Sequence, residues 1–277
     1  MSPAGRAVLH GIHVYPVKSL AGHAPDSVIA EPWGPAADRR WMVVDAEGTA
    51  VTQRQQPRLA LAGAEPLPHG EVRLTAPGHE ALRVRVPEPV STIGVQLFGD
   101  KIDAVPAGPV ADAWFSGYLG ADVRLVHLDA PAQRRAIDPQ YAQPGETVSL
   151  ADGYPLLLTS VASLDALNAL IAQGDLPHEG PLPMDRFRPS VVVAGAPAWA
   201  EDGWVRIAMG DVPFRVAKPC GRCVVTTTDQ RTAARGREPL RTLARHRRVR
   251  SELLFGQNLV PEGTGVIRVG DPVHILE

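Results

Sequence analysis

Lys218-Pro219-Cys220-Gly221-Arg222-Cys223 holds both cysteines of the chain. Two thiols three residues apart, in a Pro/Gly turn between cations, can do chemistry in several ways. A dithiol redox centre needs the motif to open a helix inside a βαβ unit. Here Val224, Val225 and Thr226 to Thr228 follow, and β-branched residues favour a strand. A structural zinc site needs four ligands, and no second Cys pair exists beside the nine scattered histidines. One thiolate can instead ligate a transition metal whose other ligands come from a cofactor, and Lys218 and Arg222 would favour that thiolate. Two buried, inert cysteines are the bland alternative, although Gly and Arg are odd neighbours for inert core. The spacing predicts strand, tight turn, strand, with the thiols carried into a pocket.

Other segments offer groups that bind oxyanions. Val8 to Pro16 alternates like a strand and leaves Lys18 and Ser19 at its exit, an ammonium beside a hydroxyl. Asp38 to Asp45 reads as a strand that places Arg39 and Arg40 on opposite faces; Asp38 with an arginine reads as a surface ion pair of little worth. Arg186 and Arg188 precede the strand Val191-Val192-Val193, and on an extended chain they would point the same way as an anion clamp.

The elements around them are short. Asp45 to Gly48 is a hairpin turn with a return over Thr49 to Gln53. Strands are expected over Leu59 to Gly63, Val72 to Ala76, Leu82 to Val86, Ile93 to Phe98 and Ile102 to Val105, the spacing of an all-β barrel or sandwich. Pro109 to Gly120 reads as a helix and Val123 to His127 as a strand. Asp129 to Thr147 lacks periodicity: a lid, a binding segment, or plain disorder. Tyr154 to Thr159 is a buried strand, followed by a helix over Ser163 to Ile171 capped by Ser160 or Ser163. Val205 to Phe214 is a hairpin across Gly210-Asp211. Pro239 to His246 is a helix, and the basic run Arg245 to Arg250 is a solvated face or a docking patch for an acidic partner. Phe255 to Leu259 and Gly265 to Val273 are expected to pair and close a barrel.

The chain has 277 residues and a net charge of −2. That length allows one large domain or two, and that charge argues against a general grip on nucleic acid or membrane. No run of about 18 apolar residues is present. Met1 to Leu9 lacks a basic stretch leading into an apolar one, so no secretory leader is read. Two cysteines three apart are no disulfide framework, which fits the cytoplasm. Lysine occurs only at positions 18, 101 and 218.

Tyr15-Pro16-Val17-Lys18-Ser19, then Arg186-Phe187-Arg188-Pro189, then Pro219-Cys220-Gly221-Arg222-Cys223 with its threonines, then Phe255-Gly256-Gln257-Asn258 with Ile267-Arg268-Val269-Gly270-Asp271-Pro272-Val273 occur in that order. In this the chain resembles the MOSC-domain proteins with an N-terminal MOSC β-barrel domain, the group that includes the amidoxime-reducing proteins. The resemblance spans nearly the whole chain. It implies an α+β, β-dominated fold: an N-terminal β-rich domain over 1–125, and a MOSC-type β-barrel with flanking helices over 126–277. It implies a molybdenum cofactor, a pterin dithiolene bearing a phosphate, with one protein cysteine on the metal. The family's ligand is the second cysteine of the pair, hence Cys223. Its cofactor-binding positions match Lys18, Ser19, Arg39 and Arg188, with Ser190 and Thr226 as further contacts and Asp229 as a candidate catalytic residue.

Ser190 stands where the family often has Asn, and Asp229-Gln230-Arg231-Thr232 replaces the usual Asp-Pro-Asp-Thr-Gly turn. No four-cysteine iron–sulfur domain is present, so electrons are expected from a separate flavin or haem reductase. The activity implied is removal of oxygen from small N-hydroxylated or N-oxide substrates. A persulfide carrier without turnover, and a member binding a different anion or none, are the alternatives.

Overall fold

Apolar residues at alternate positions give the strands one dry face, and the sheets close over those faces. A computed structural model describes residues 6–277. Met1 to Gly5, part of the stretch read as lacking a leader, lie outside the described residues.

The largest sheet runs in the spatial order Val8–Ile12, Val191–Ala194, Leu156–Ser160, Glu252–Pro261, Val212–Gly221, Arg206–Met209, Val273–Ile275. Gly270 N donates to Leu9 O at 2.7 Å and Leu9 N to Asp271 O at 2.9 Å, so its first strand meets the approach to its last and the barrel nearly closes. Leu9, Ile12, Leu158, Val191, Ile207 and Phe214 fill the interior. One pair, Leu156–Ser160 with Val191–Ala194, is parallel. Parallel neighbours need a crossover, and the helix Val161–Ala172 supplies it. Ser160 caps that helix, its hydroxyl accepting from Ser163 N, and Leu164, Leu167 and Ile171 make the buried face.

A second region holds a four-stranded sheet (Trp41–Asp45, Val123–His127, Asp100–Pro106, Ile93–Leu97) and a three-stranded one (Gly63–Pro66, Val72–Ala76, His79–Val84). The helix Pro109–Leu119 packs across them through Phe115 and Tyr118 and ends at Gly120 in the left-handed conformation. The fold is α+β and β-dominated. Two early strands pair far along the chain: Val8–Ile12 with Val191–Ala194, and Ser27–Glu31 with Gly265–Arg268.

Two expectations fail for physical reasons, and for a third segment one of the alternatives, disorder, is set aside. Leu59 to Gly63 is not a strand: Pro57 opens a 3-10 turn over Pro57–Leu61, and pairing starts only at Gly63. Phe255–Leu259 does not pair with the last segment. It lies within Glu252–Pro261, whose two edges are taken by Leu156–Ser160 and Val212–Gly221, so Gly265–Arg268 and Val273–Ile275 find other partners. The segment Asp129 to Thr147 is ordered. It carries a short helix, Pro131–Arg134, and is pinned by the buried Arg135, which donates to Asp100 Oδ2 at 2.8 Å, Ser149 O at 3.2 Å and Asp152 O at 2.9 Å.

Those bonds make Arg135 a stability residue. Arg135→Ala is expected to lower unfolding free energy by about 2–3 kcal/mol, because several carbonyls lose their donor at once. Urea denaturation of parent and variant measures this; equal midpoints would contradict it.

Candidate active site

The strand Val212–Gly221 slips register between Val216 and Lys218 and again between Pro219 and Gly221. Proline lacks the N–H a ladder needs, so a bulge is where it fits. Beyond Gly221 the chain does not continue as a strand, as its β-branched residues suggested. Cys223 is extended (φ −124°, ψ −178°) and starts a single 3-10 turn, Val224–Thr227. The threonines close that turn: Thr226 Oγ1 donates to Cys223 O at 2.9 Å and Thr227 Oγ1 to Val224 O at 2.8 Å. Hydroxyls that bond carbonyls three residues back override strand propensity here.

The turn faces a cavity of about 320 Å³. Six of the residues singled out in the sequence line it: Lys18, Ser19, Arg39, Arg188, Ser190 and Cys223. Cys220 is on the same wall. Thr226 and Asp229 do not line it. Thr226 is fully buried behind Cys223. Asp229 Oδ1 accepts from Arg231 N, Thr232 N and Thr232 Oγ1 at 2.9–3.0 Å, and Oδ2 is 3.6 Å from Arg186. That carboxylate shapes its own loop.

Each cation arrives by a constrained backbone. Lys18 is buried; its Nζ donates to Leu150 O at 2.9 Å and Asp152 Oδ1 at 2.6 Å. Burial pulls its pKa down to about 8, against the pull of Asp152. Burial alone would raise the Asp152 carboxyl, but Lys18, Arg54 and Arg39 hold it well below its usual range. The Asp152 side chain is 68% exposed, so water screens much of that attraction. Asp38 and Arg39 form no surface pair. Asp38 is buried, accepts from Tyr15 N at 2.8 Å, and pairs with Arg39 Nη1 at 2.5 Å. Arg39 and Arg188 both lie against the Tyr15 ring, at 4.3 and 4.2 Å from its centroid.

The clamp expected from Arg186 and Arg188 divides. Met184–Phe187 coils into a 3-10 turn and Arg188 has φ +51°, so the two side chains diverge. Arg186 turns inward to Thr226 O at 3.2 Å. Arg188 faces the cavity, and burial lowers its pKa to about 10.

Arg54 was not singled out in the sequence. Its Nη2 lies 3.3 Å from Cys223 Sγ, its guanidinium stacks 4.4 Å over Phe98, and it is 3.6 Å from Asp152. Arg222 serves the other thiol, donating through Nη1 to Cys220 Sγ at 2.9 Å. Lys218 instead pairs with Glu252 at 3.5 Å. Six cations and two carboxylates therefore line the cavity, which suits an anionic occupant. Among the described residues no three of His, Cys, Asp and Glu are grouped to hold a metal ion. A metal on Cys223 would take its other ligands from outside the chain.

Lys18 is protonated below about pH 8 and neutral above it, so an anion beside it binds best at neutral pH. Calorimetric titration of the ligand-free protein with pyrophosphate is expected to show affinity falling above pH 8, by up to about tenfold per pH unit. Lys18→Met should remove that slope; a slope that persists would assign it to another group.

Residues 6–122 match the MOSC N-terminal beta barrel domain and residues 145–274 the MOSC domain. Mitochondrial amidoxime-reducing component 1 of Xenopus laevis is 33% identical over 282 residues, which cover 94% of this chain and 80% of that protein. The Homo sapiens protein of the same name is 32% identical, covering 95% and 81%. The molybdenum cofactor sulfurase of Danio rerio is 30% identical, covering 85% of this chain and 30% of that protein. The chain belongs to the family of MOSC-domain proteins that includes the mitochondrial amidoxime-reducing components.

Proposed function

We propose that this chain is a molybdenum-cofactor-dependent oxidoreductase that removes oxygen from N-hydroxylated or N-oxide compounds. The observation that carries the reading is the shared cavity: the Cys223 sulfur opens into the same space as Lys18, Arg39 and Arg188. The name amidoxime-reducing component points to the same reaction, and the name molybdenum cofactor sulfurase to the same cofactor.

A pterin dithiolene with a phosphate fits the donor set. It is anionic, and the cavity has a surplus of cations. Its metal needs a soft ligand, and Cys223 offers sulfur with an N–H donor beside it from Arg54. When bound, such a cofactor supplies a two-electron reductant able to take oxygen from nitrogen. The chain's part is to bind, orient and screen. Lys18 and Arg188 attract the anion. Arg39, locked by Asp38, cannot swing away. Ser190 is buried, with its hydroxyl 3.5 Å from Arg39 Nη1 and accepting from Leu157 N at 3.2 Å. It sits beside Arg39 on the cavity wall. Each turnover takes two electrons and two protons and releases water, and on this reading the electrons come from a separate donor protein carrying flavin or haem. Two free thiols in one cavity suit a reducing compartment such as the cytoplasm.

A second reading rests on Cys220. It lines the same cavity and holds the short contact with Arg222, so a persulfide there, carried without turnover, is the competing account. Thiol-trapping mass spectrometry separates the two, since a persulfide adds sulfur mass without metal.

The main test is composition. Protein produced with molybdate is expected to carry molybdenum and pterin in equal amounts, with an absorbance that changes on adding dithionite. Cys223→Ala should lose the metal and the reduction of an N-hydroxylated substrate. A fully metallated Cys223→Ala protein would exclude the ligation proposed.

A further inference from the structure

Gln53 and Gln230 lie 177 residues apart and meet as a paired amide. Gln53 Nε2 donates to Gln230 Oε1 at 3.0 Å, and Gln230 Nε2 to Gln53 Oε1 at 3.1 Å. The remaining amide hydrogens go to Ser19 O at 2.7 Å and Thr228 O at 3.0 Å. All four donors are used, and Gln53 is fully buried. The orientation is fixed by chemistry. Flipping Gln53 would set its oxygen against Ser19 O; flipping Gln230 would set its NH₂ against the guanidinium of Arg188, which donates through Nη1 to Gln230 Oε1 at 3.3 Å.

The pair therefore joins two walls of the cavity. On one side it holds the carbonyl of Ser19, whose hydroxyl also faces Gln53 N at 3.3 Å. On the other it holds Arg188. Among the described residues Arg188 has no carboxylate within 4 Å, unlike Arg39 with Asp38 and Lys18 with Asp152. Its partners are a neutral amide oxygen and the Tyr15 ring. A carboxylate at that position would orient the guanidinium equally well but would cancel its charge. An amide orients it and leaves the charge for a ligand. Gln230 belongs to the loop that departs from the family's usual turn, so this is a property of this chain's own residues.

We propose that Gln53 and Gln230 form a neutral clamp that aims Arg188 into the cavity and fixes Ser19 opposite it without consuming positive charge. They are positioning residues. The proposal rests on reading the cavity as the seat of an anionic cofactor, and deepens that reading by naming what keeps the anion site charged.

The test uses Gln230→Glu, the single variants Gln230→Met and Gln53→Met, and the double variant Gln53→Met with Gln230→Met. Two measurements are made: pyrophosphate affinity of the ligand-free protein by calorimetry, and pterin and molybdenum content as isolated. Gln230→Glu keeps the acceptor for Arg188 but loses the two N–H bonds to Gln53 Oε1 and Thr228 O, so it is expected to melt below the parent and to bind pyrophosphate at least about tenfold more weakly. Gln230→Met should weaken binding to a similar degree. The double variant should be no worse than the single, because the two amides act as one unit. A merely structural role would leave Gln230→Glu binding like the parent, and that result overturns the clamp. So does a double variant whose loss is the product of two independent losses. If the parent carries pterin and metal and the variants keep them with unchanged pyrophosphate affinity, the clamp fails while the cofactor reading stands. If pyrophosphate binding drops as described in a parent that carries no pterin, the clamp stands and the cofactor reading fails. A parent that binds neither overturns both.

Discussion

Arg188 is the charge on which the cavity turns. It is desolvated enough for its pKa to fall to about 10, it shares the Tyr15 ring with Arg39, and among the described residues no carboxylate lies within 4 Å of it. Even a half-buried cation without a close counter-ion is costly in a folded protein. The surrounding residues do not remove the cost. Asp38 is committed to Arg39 and to Tyr15 N, and Asp152 stands at the opposite wall with Lys18 and Arg54. The arrangement makes energetic sense when an anion completes it. That is why the cavity's chemistry, and not its size, carries the functional reading.

Three of the nine non-glycine residues with positive φ among the described residues line the cavity. Ser19, Arg39 and Arg188 have φ of +72°, +45° and +51°. Non-glycine residues in that region cost on the order of 1–3 kcal/mol each and persist only where neighbours over-determine them. The neighbours are visible. Ser19 is held through its carbonyl by Gln53, Arg39 N by Tyr15 O at 2.8 Å, and Arg188 N by Asp185 O at 3.1 Å. Three segments distant in sequence each turn sharply where they meet the cavity. A sharp turn lets a strand exit or a 3-10 turn present its side chain sideways into the space.

Much of this was legible in the residues. Alternation gave the hairpin Arg206–Met209 with Val212–Gly221, and apolar spacing with a glycine stop gave the helix Pro109–Leu119. What escaped was set by contacts distant along the chain or by local bonds that outvote propensity. Val224 to Thr228 reads as a strand because β-branched side chains suit one, and becomes a turn because threonine hydroxyls find carbonyls within reach. Arg186 and Arg188 read as a pair because two-residue spacing aligns side chains only on an extended backbone, and this one is coiled. Arg54 left no signal at all. Its target sulfur is 169 residues away, and nothing in Thr52-Gln53-Arg54 distinguishes it from a surface arginine.

The two thiols, alike in the sequence, are unlike in their mounting. Cys220 sits in the bulged end of a strand beside Gly221, and its sulfur is already engaged by Arg222 at 2.9 Å. Cys223 is fixed by its own carbonyl, which takes both Thr226 N at 3.0 Å and Thr226 Oγ1 at 2.9 Å. Thr226 is in turn held from behind, its carbonyl accepting from Arg186. A metal ligand works best when its position is set before the metal arrives, because less order must then be imposed on binding. Residues that never touch the cavity thus matter to it. Arg186 and Thr226 form the backing of the sulfur, and Asp229 completes that backing by pairing with Arg186. This mounting favours the sulfur at position 223 as a fixed ligand, while the one at 220 is held on the same wall by Arg222.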